Sequence, residues 1–174
     1  MTAIDNTPVN KNFLSPLNFV FQIKRSPHLN FFIQKVNLPS LSLNYPQQPT
    51  PFTTIWVPGE HLTYGTLDVE FKVDEDLQNW FEIHNWLRSL GFPDNFGEYN
   101  TIEKQTPTSG KGIRSDISLI LLNAVKLPRW EITFREAFPT SLSALQFGTT
   151  DESVNYITAT ASFRFILYDV NEVT

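Results

Sequence analysis

The sequence contains no cysteine. That absence removes disulfide frameworks, thiolate metal centres and cysteine nucleophiles together, and leaves the redox compartment open. No uninterrupted apolar run approaches the roughly 18 residues of a spanning helix. The first residues, rich in Thr, Asp and Asn, offer neither a basic start nor an apolar signal segment. A soluble chain, not exported by the general route and without a membrane partner, is the expectation. Basic residues are also scarce: thirteen Lys and Arg stand against eighteen Asp and Glu, a formal net charge of −5. Binding to nucleic-acid phosphates by counterion release is therefore disfavoured, and repulsion of a polyanion is expected instead.

Catalytic and metal-binding patterns are missing as well. His28, His61 and His84 fall in different expected elements, without the short spacing that sets two ligands on one helical face. Each reads as an ordinary histidine, His84 as one packed on the apolar side of a helix. Glu60-His61 beside Trp56 has the residue types of an acid-base pair but no third group to position it. Asp74-Glu75-Asp76 lacks the alternating ligands and turn glycine of a calcium loop. In Gly110-Lys111-Gly112, Gln105 stands where a phosphate loop has its first glycine, and Gly112 where it has Ser or Thr. No catalytic, cofactor-binding or metal-ligating residue is assigned, and no cofactor is expected.

What the chain does have is alternation. Its length of 174 residues favours one domain, 1–174, able to bury roughly 70% of its unfolded surface without a staple. After an N-terminal arm (1–15), Phe19, Phe21 and Ile23 alternate with polar neighbours. Ser26-Pro27-His28 reads as a turn and Phe32, Gln34 and Val36 as a returning strand, together a hairpin. Pro39, Pro46, Pro49, Pro51 and Pro58 each remove a backbone donor, so 39–65 is no central strand for most of its length and reads as a long ordered loop or edge, with Thr53 to Val57 a short edge strand. Leu67 to Val73 sends every apolar side chain one way and every charge the other. A helix from about Leu77 to Leu90 follows, capped by Asp76 and stopped at Gly91. A second long loop spans 92–115, and Ile117 to Leu122 is apolar on both faces, as in a strand buried on both sides.

The last fifty residues carry the strongest pattern. Trp130, Ile132 and Phe134 alternate with Glu131, Thr133 and Arg135 up to a corner at Phe138-Pro139-Thr140. From Asn155 to Asp169, Ile157, Ala159, Ala161, Phe163, Phe165 and Leu167 form one phase, opposite Thr158, Thr160, Ser162 and Arg164. A strand of about fifteen residues spans roughly 50 Å at about 3.3 Å per residue, more than one core of this size needs. The surplus points to a second subunit. Most of the fifteen phenylalanines fall on apolar phases, which favours core over a stacking platform for sugars or bases. The fold class expected is mainly β (α+β): an antiparallel β-sandwich or small barrel with one flanking helix.

This arrangement resembles the tail tube proteins of contractile-tailed bacteriophages, with the related baseplate tube initiator and type VI secretion tube. The resemblance rests on the strand pair ending Val36-Asn37-Leu38-Pro39, on Leu67 to Val73 leading into the helix, on Arg129 to Leu142 with its aromatic-Pro-Thr corner, and on the terminal strand. It implies a non-enzymatic virion protein, whose strands join the inner β-barrel of a hexameric ring. Rings of the same or related proteins stack into a tube through which DNA passes without specific binding. The implied partners are the tail sheath, baseplate hub and tape measure protein, and the implied place of assembly is the host cytoplasm. Asp68, Glu70, Glu131, Thr158, Thr160 and Ser162 are then candidates to face the lumen, where carboxylates would repel DNA. The same carboxylates fit a solvated sheet face. Phe138, Pro139 and Thr140 are the candidate assembly corner, and loops 39–65 and 92–115 the candidates for ring stacking. A β-sandwich carbohydrate- or ligand-binding module, using an exposed Trp56, is the alternative. The sequence does not separate a main tube subunit from an initiator or terminator.

Overall fold

The computed structural model describes residues 13–91, 97, 99–100, 112–149 and 156–173. Most of the N-terminal arm, the failed phosphate-loop motif at 105–111 and much of loop 92–115 lie outside the described residues. In β1 (Phe19–Ile23), Phe21 and Ile23 are buried while Val20 and Gln22 face outward. The expected hairpin from this strand does not form. Pro27 opens a short second helix, α1 (Pro27–Phe32), because its fixed φ and missing N–H suit a first helical turn. Asn30 then fixes the reversal: its Oδ1 accepts from the Ile23 amide at 2.8 Å and its Nδ2 donates to the Ile23 carbonyl at 3.4 Å. The next strand, β2 (Ile33–Val36), is carried to the opposite end of the strand order from β1.

The expected edge strand at Thr53 to Val57 is present, but much of the rest of the proline-rich stretch is also strand, and the whole is a β-ribbon rather than a loop. It contains β3 (Leu41–Leu43), β4 (Gln47–Pro49), β5 (Thr54–Trp56) and β6 (Leu62–Tyr64), with β3 paired to β6 and β4 to β5. Prolines are tolerated because both strands of an isolated ribbon are edges. Its base continues the pairing of β2 with β7 (Leu67–Lys72) without a break in register: Val36 lies opposite Val69, Asn37 N donates to Asp68 O, Gly65 N donates to Ser40 O, and Leu41 lies opposite Tyr64. The hairpin absent between β1 and β2 is thus found between β2 and β7, with the ribbon as its far end, an arm (39–65) on the body of the sandwich.

After β7, whose buried and half-buried residues alternate as expected, α2 (Gln78–Gly91) packs Ile83 and Trp86 into the core. Asp76 does not sit at its cap position. Leu77 stands there with φ 57°, and buried Asn79 ties the helix entry to the strand by donating to Lys72 O at 2.8 Å and accepting from Asp74 N at 3.4 Å. The chain returns as β8 (Ser115–Leu122). A turn follows in which Asn123 Oδ1 accepts from the Val125 and Leu127 amides, an Asx-type closure. It leads into β9 (Pro128–Leu142), β10 (Thr158–Arg164) and β11 (Leu167–Glu172).

Strand β9 belongs to two sheets. One runs β1-β8-β9-β11 and the other β9-β10-β7-β2, all antiparallel. The two inner faces enclose one core, in which Phe71, Phe134, Phe163 and Trp86 are the largest fully buried side chains. Each such side chain stabilises the fold by about 1.5–3 kcal/mol relative to exposure. The sandwich expectation holds. Among the described residues the sheet path does not close into a barrel, and no helix is long and apolar enough to cross a membrane. Core assignment holds for only some of the phenylalanines: Phe13, Phe31, Phe52, Phe81 and Phe147 are exposed.

The terminal segment corrects two expectations. The fifteen-residue strand is two strands, β10 and β11, and the long strand is β9 itself, 15 residues with the Phe138-Pro139-Thr140 corner inside it. The pairing frame survives the break, since Arg164 lies opposite Phe138 and Leu167 opposite Arg135. The inward phase does not. On β10 the buried positions are Ala159, Ala161 and Phe163, yet on β11 Tyr168 packs on the core and Leu167 does not. On β9 the inward phase shifts likewise, from Ile132 and Phe134 to Ala137 and Pro139, at Glu136 with φ 53°. Both strands therefore change phase at one level, which lets them pass from one sheet to the other while their apolar side chains stay inside. The corner lies at Arg135-Glu136 and Ile166. Pro139 needs no corner because the ladder slips beside it, between Ser162 and Phe163, where a missing donor costs little.

Candidate assembly surfaces

Five of the six expected lumen residues share the outer face of the β9-β10-β7-β2 sheet. Glu70 is paired with Thr160, Asp68 with Ser162, and Lys72 with Thr158. The Asp68 carboxylate accepts from Ser162 Oγ at 2.6 Å and Asn37 Nδ2 at 3.2 Å, while Asn37 Oδ1 accepts from the Asp68 amide at 2.6 Å. Lys35, Asn37, Asp68, Glu70 and Thr160 line a shallow hollow of about 200 Å³. Lys72 Nζ lies 3.6 Å from the centre of the Tyr156 ring, a cation–π contact. Arg164 donates to Tyr64 O at 3.1 Å. With Lys35, Lys72 and Arg164 beside Asp68 and Glu70, this face is of mixed charge rather than acidic.

Glu131 is not among them. It sits on the other sheet, opposite Ile120 and Asn171, and faces away from the core on the far side of the sandwich. The alternation that puts Glu131 outside is the same as that of Asp68, so the sequence could not tell the two outer faces apart. Lys35 was missed for a different reason. Lys35 lies opposite Glu70, on the face away from Val36 as simple alternation requires, but the sequence paired its strand with β1 rather than β7, which hid the carboxylate beside it.

At the expected assembly corner, Phe138 packs partly against the core and Pro139 is buried. Thr140 alone is exposed, and its Oγ1 donates to Ser162 O at 3.1 Å. The histidines are likewise placed apart. His84 stacks on Trp80 with ring centroids 4.9 Å apart, and His61 and Glu60 are exposed on the arm. His28 Nδ1 lies 2.5 Å from Glu82 Oε1, which joins α1 to α2. That hydrogen bond and the Glu82 charge raise the His28 pKa above its ordinary value. Among the described residues no group of three or more His, Asp or Glu gathers as a metal site.

The arm is the most unusual surface. Between Leu41 and Tyr64, Glu60 is the single carboxylate and no Lys or Arg occurs. Leu41, Leu43, Tyr45, Phe52, Ile55, Trp56, Val57 and Leu62 are all exposed there, Phe52 at 99%. Trp56 packs edge-on against Tyr45, with centroids 5.4 Å apart. At the root, Tyr64 meets Phe165 and Tyr168 at 5.5 and 5.4 Å, and Phe165 meets Phe134 at 5.0 Å, so the core continues onto the ribbon. Gly59 and Gly65 let the ribbon strands close up: a Cβ on Gly59 would lie 2.3 Å from Asn44 O, and one on Gly65 2.7 Å from Ser40 Oγ. Beyond the arm, β1 and β11 each leave one edge unpaired among the described residues.

No family model matches the chain. The tail tube terminator protein of Enterobacteria phage T4 is 27% identical over 168 residues, covering 92% of this chain and 90% of that protein. The chain is a relative of the contractile-tail tube proteins. Solved structures share its fold. The tube-terminating cap of the anti-feeding prophage superposes with a TM-score of 0.62 at 12% identity, over 99% of this chain and 100% of that one. The sheath/tube terminator of an extracellular contractile injection system does so at 0.60 and 14%, over 94% and 99%. This relative of the tail tube proteins is a structural protein of a contractile tail, not an enzyme.

Proposed function

We propose that this protein forms a homo-hexameric ring at the terminus of a contractile tail tube, assembled in the host cytoplasm as one domain spanning 1–174. Its partners in this reading are the tube rings, the sheath, the baseplate hub and the tape measure protein, and DNA crosses the ring without specific binding. The observation that carries it is the arm. A charge-poor ribbon with exposed aromatics and two free edges invites association, and a body with open strands at β1 and β11 has the edges that ring closure removes. The length of the match to a tube terminator favours the terminal position over a repeated tube subunit.

The outer face bearing Asp68, Glu70, Thr158, Thr160 and Ser162 lines the channel in this reading, and Glu131 faces outward. Its mixed charge and hydroxyls offer DNA neither a continuous cationic track nor an apolar one. Electron microscopy of the purified protein is expected to show six-fold rings, and protein quantification of intact tails about one ring per particle. A monomer without rings sinks the proposal, and copy number equal to the main tube subunit sinks the terminal position. For the channel face, Thr160→Cys in assembled rings is expected to react with a small maleimide but not with a bulky polymer maleimide, whereas Glu131→Cys reacts with both. Equal reactivity of the two with the bulky reagent overturns that assignment.

A further inference from the structure

A second apolar surface lies away from the arm. Leu17, Phe19, Val20, Phe31, Ile33 and Gln34 line an open cleft of about 420 Å³ between β1, α1 and β2. Leu17 is 86% and Phe31 85% exposed, and no ionisable side chain lines the cleft. The strand β2 separates it from the arm. Ile33, at the start of β2, lines the cleft and pairs with Phe71, whereas Val36 leads through Asn37 into the ribbon. Because the ribbon prolongs the β2–β7 ladder in register, it projects from the end opposite the cleft. At about 3.3 Å per residue, the strand from Leu41 to Thr50 carries the tip roughly 30 Å outward. The tip is a closed turn in which Thr50 N donates to Thr53 O at 3.0 Å, with Pro51 and Phe52 at its apex.

An arm cannot fold back into a cleft at the other end of its own strands, but it can reach the cleft of another copy. Cyclic rings are built from such head-to-tail contacts, in which two different patches of one chain meet. Neither the tip from Thr50 to Thr53 nor the cleft carries an ionisable side chain, so no ion is desolvated without a partner when they join. The ribbon, roughly two dozen residues long, matches the roughly 20–30 residues per side of a standard interface. We propose that the Pro51-Phe52 tip of one copy seats in the cleft lined by Leu17, Phe31 and Ile33 of its neighbour. This rests on the reading of the chain as a ring-forming subunit.

The absence of cysteine gives a clean test. F52C protein and size-tagged F31C protein, mixed, assembled and oxidised, are expected to give a covalent heterodimer at least about ten-fold more abundant than F52C mixed with tagged V125C, a position exposed in the β8–β9 turn. F52D is expected to abolish rings while leaving the thermal melt of the subunit unchanged. Intact wild-type rings with equal cross-linking to V125C, or with F52D rings as abundant as wild type, overturn the cleft contact and leave the ring reading standing. Failure of the wild-type protein to form rings under any assembling condition removes both.

Discussion

The sandwich and the arm are built from similar residues and treat them in opposite ways. In the sandwich, Phe71, Phe134, Phe163 and Trp86 are wholly enclosed, and outward charges are tied to partners, as Arg135 is to Asp169 and Arg129 to Glu172. In the arm, Trp56, Tyr45 and Phe52 face solvent and almost no charge accompanies them. A side chain already in water contributes little to the stability of a single subunit. In the proposed function the apolar residues of the arm serve contacts between chains, and those of the body serve folding.

Two tryptophans give the largest test of that division. Trp86→Ala removes a buried ring whose Nε1 donates to Ile113 O at 3.0 Å, and is expected to cost about 3–5 kcal/mol, a fall in Tm of roughly 10 °C for a domain of this size. Trp56→Ala is expected to change subunit stability by less than about 0.5 kcal/mol and to abolish ring assembly. Differential scanning calorimetry and electron microscopy on both variants read the two effects. A large Tm loss for Trp56→Ala would break the comparison.

Gly59→Ala sharpens it at intermediate scale. The new Cβ meets the Asn44 carbonyl at 2.3 Å, so the ribbon strands must part there. Subunit Tm is expected to hold within about 1 °C while the ring yield falls several-fold. Unchanged ring yield would show that the arm's shape is dispensable.

The smallest effect is expected at His28, which joins two elements of the body. Its pKa is raised by the hydrogen bond to Glu82, then by the Glu82 charge, and slightly by Asp74, against the desolvation of the ring. A raised pKa in the folded state means the contact contributes fully below the ordinary histidine value of 6.5 and is lost as pH rises through the higher folded value. The site is exposed and screened. Wild-type Tm is expected to drop slightly across that window relative to Glu82→Gln, which should show no such step; identical pH profiles would exclude the contact.

Much of the body was legible because burial imposes a period. Leu67 to Lys72, the helix at Gln78–Gly91 and the inward phase of Ala159, Ala161 and Phe163 follow directly from spacing. Three features resisted. Proline counting argued against a central strand at 39–65 and left only Thr53 to Val57 as an edge strand, which β5 is, yet a lone ribbon is all edge and has no central strand for proline to spoil. The β2–β7 hairpin was hidden because its halves are separated by the whole arm, while β1 and β2 looked like nearer partners. The corner at Glu136 was invisible because phase changes on β9 and on the β10–β11 pair compensate each other. Glu131 was grouped with Asp68 because alternation tells inside from outside but not one outside from the other.

The sharing of β9 between both sheets has a mechanical consequence. In a sandwich whose layers meet only through side chains, shear slides one layer over the other. Here a load applied to either sheet runs along a continuous backbone of 15 residues into the second. The two layers strain as one wall, a property suited to the ring proposed above.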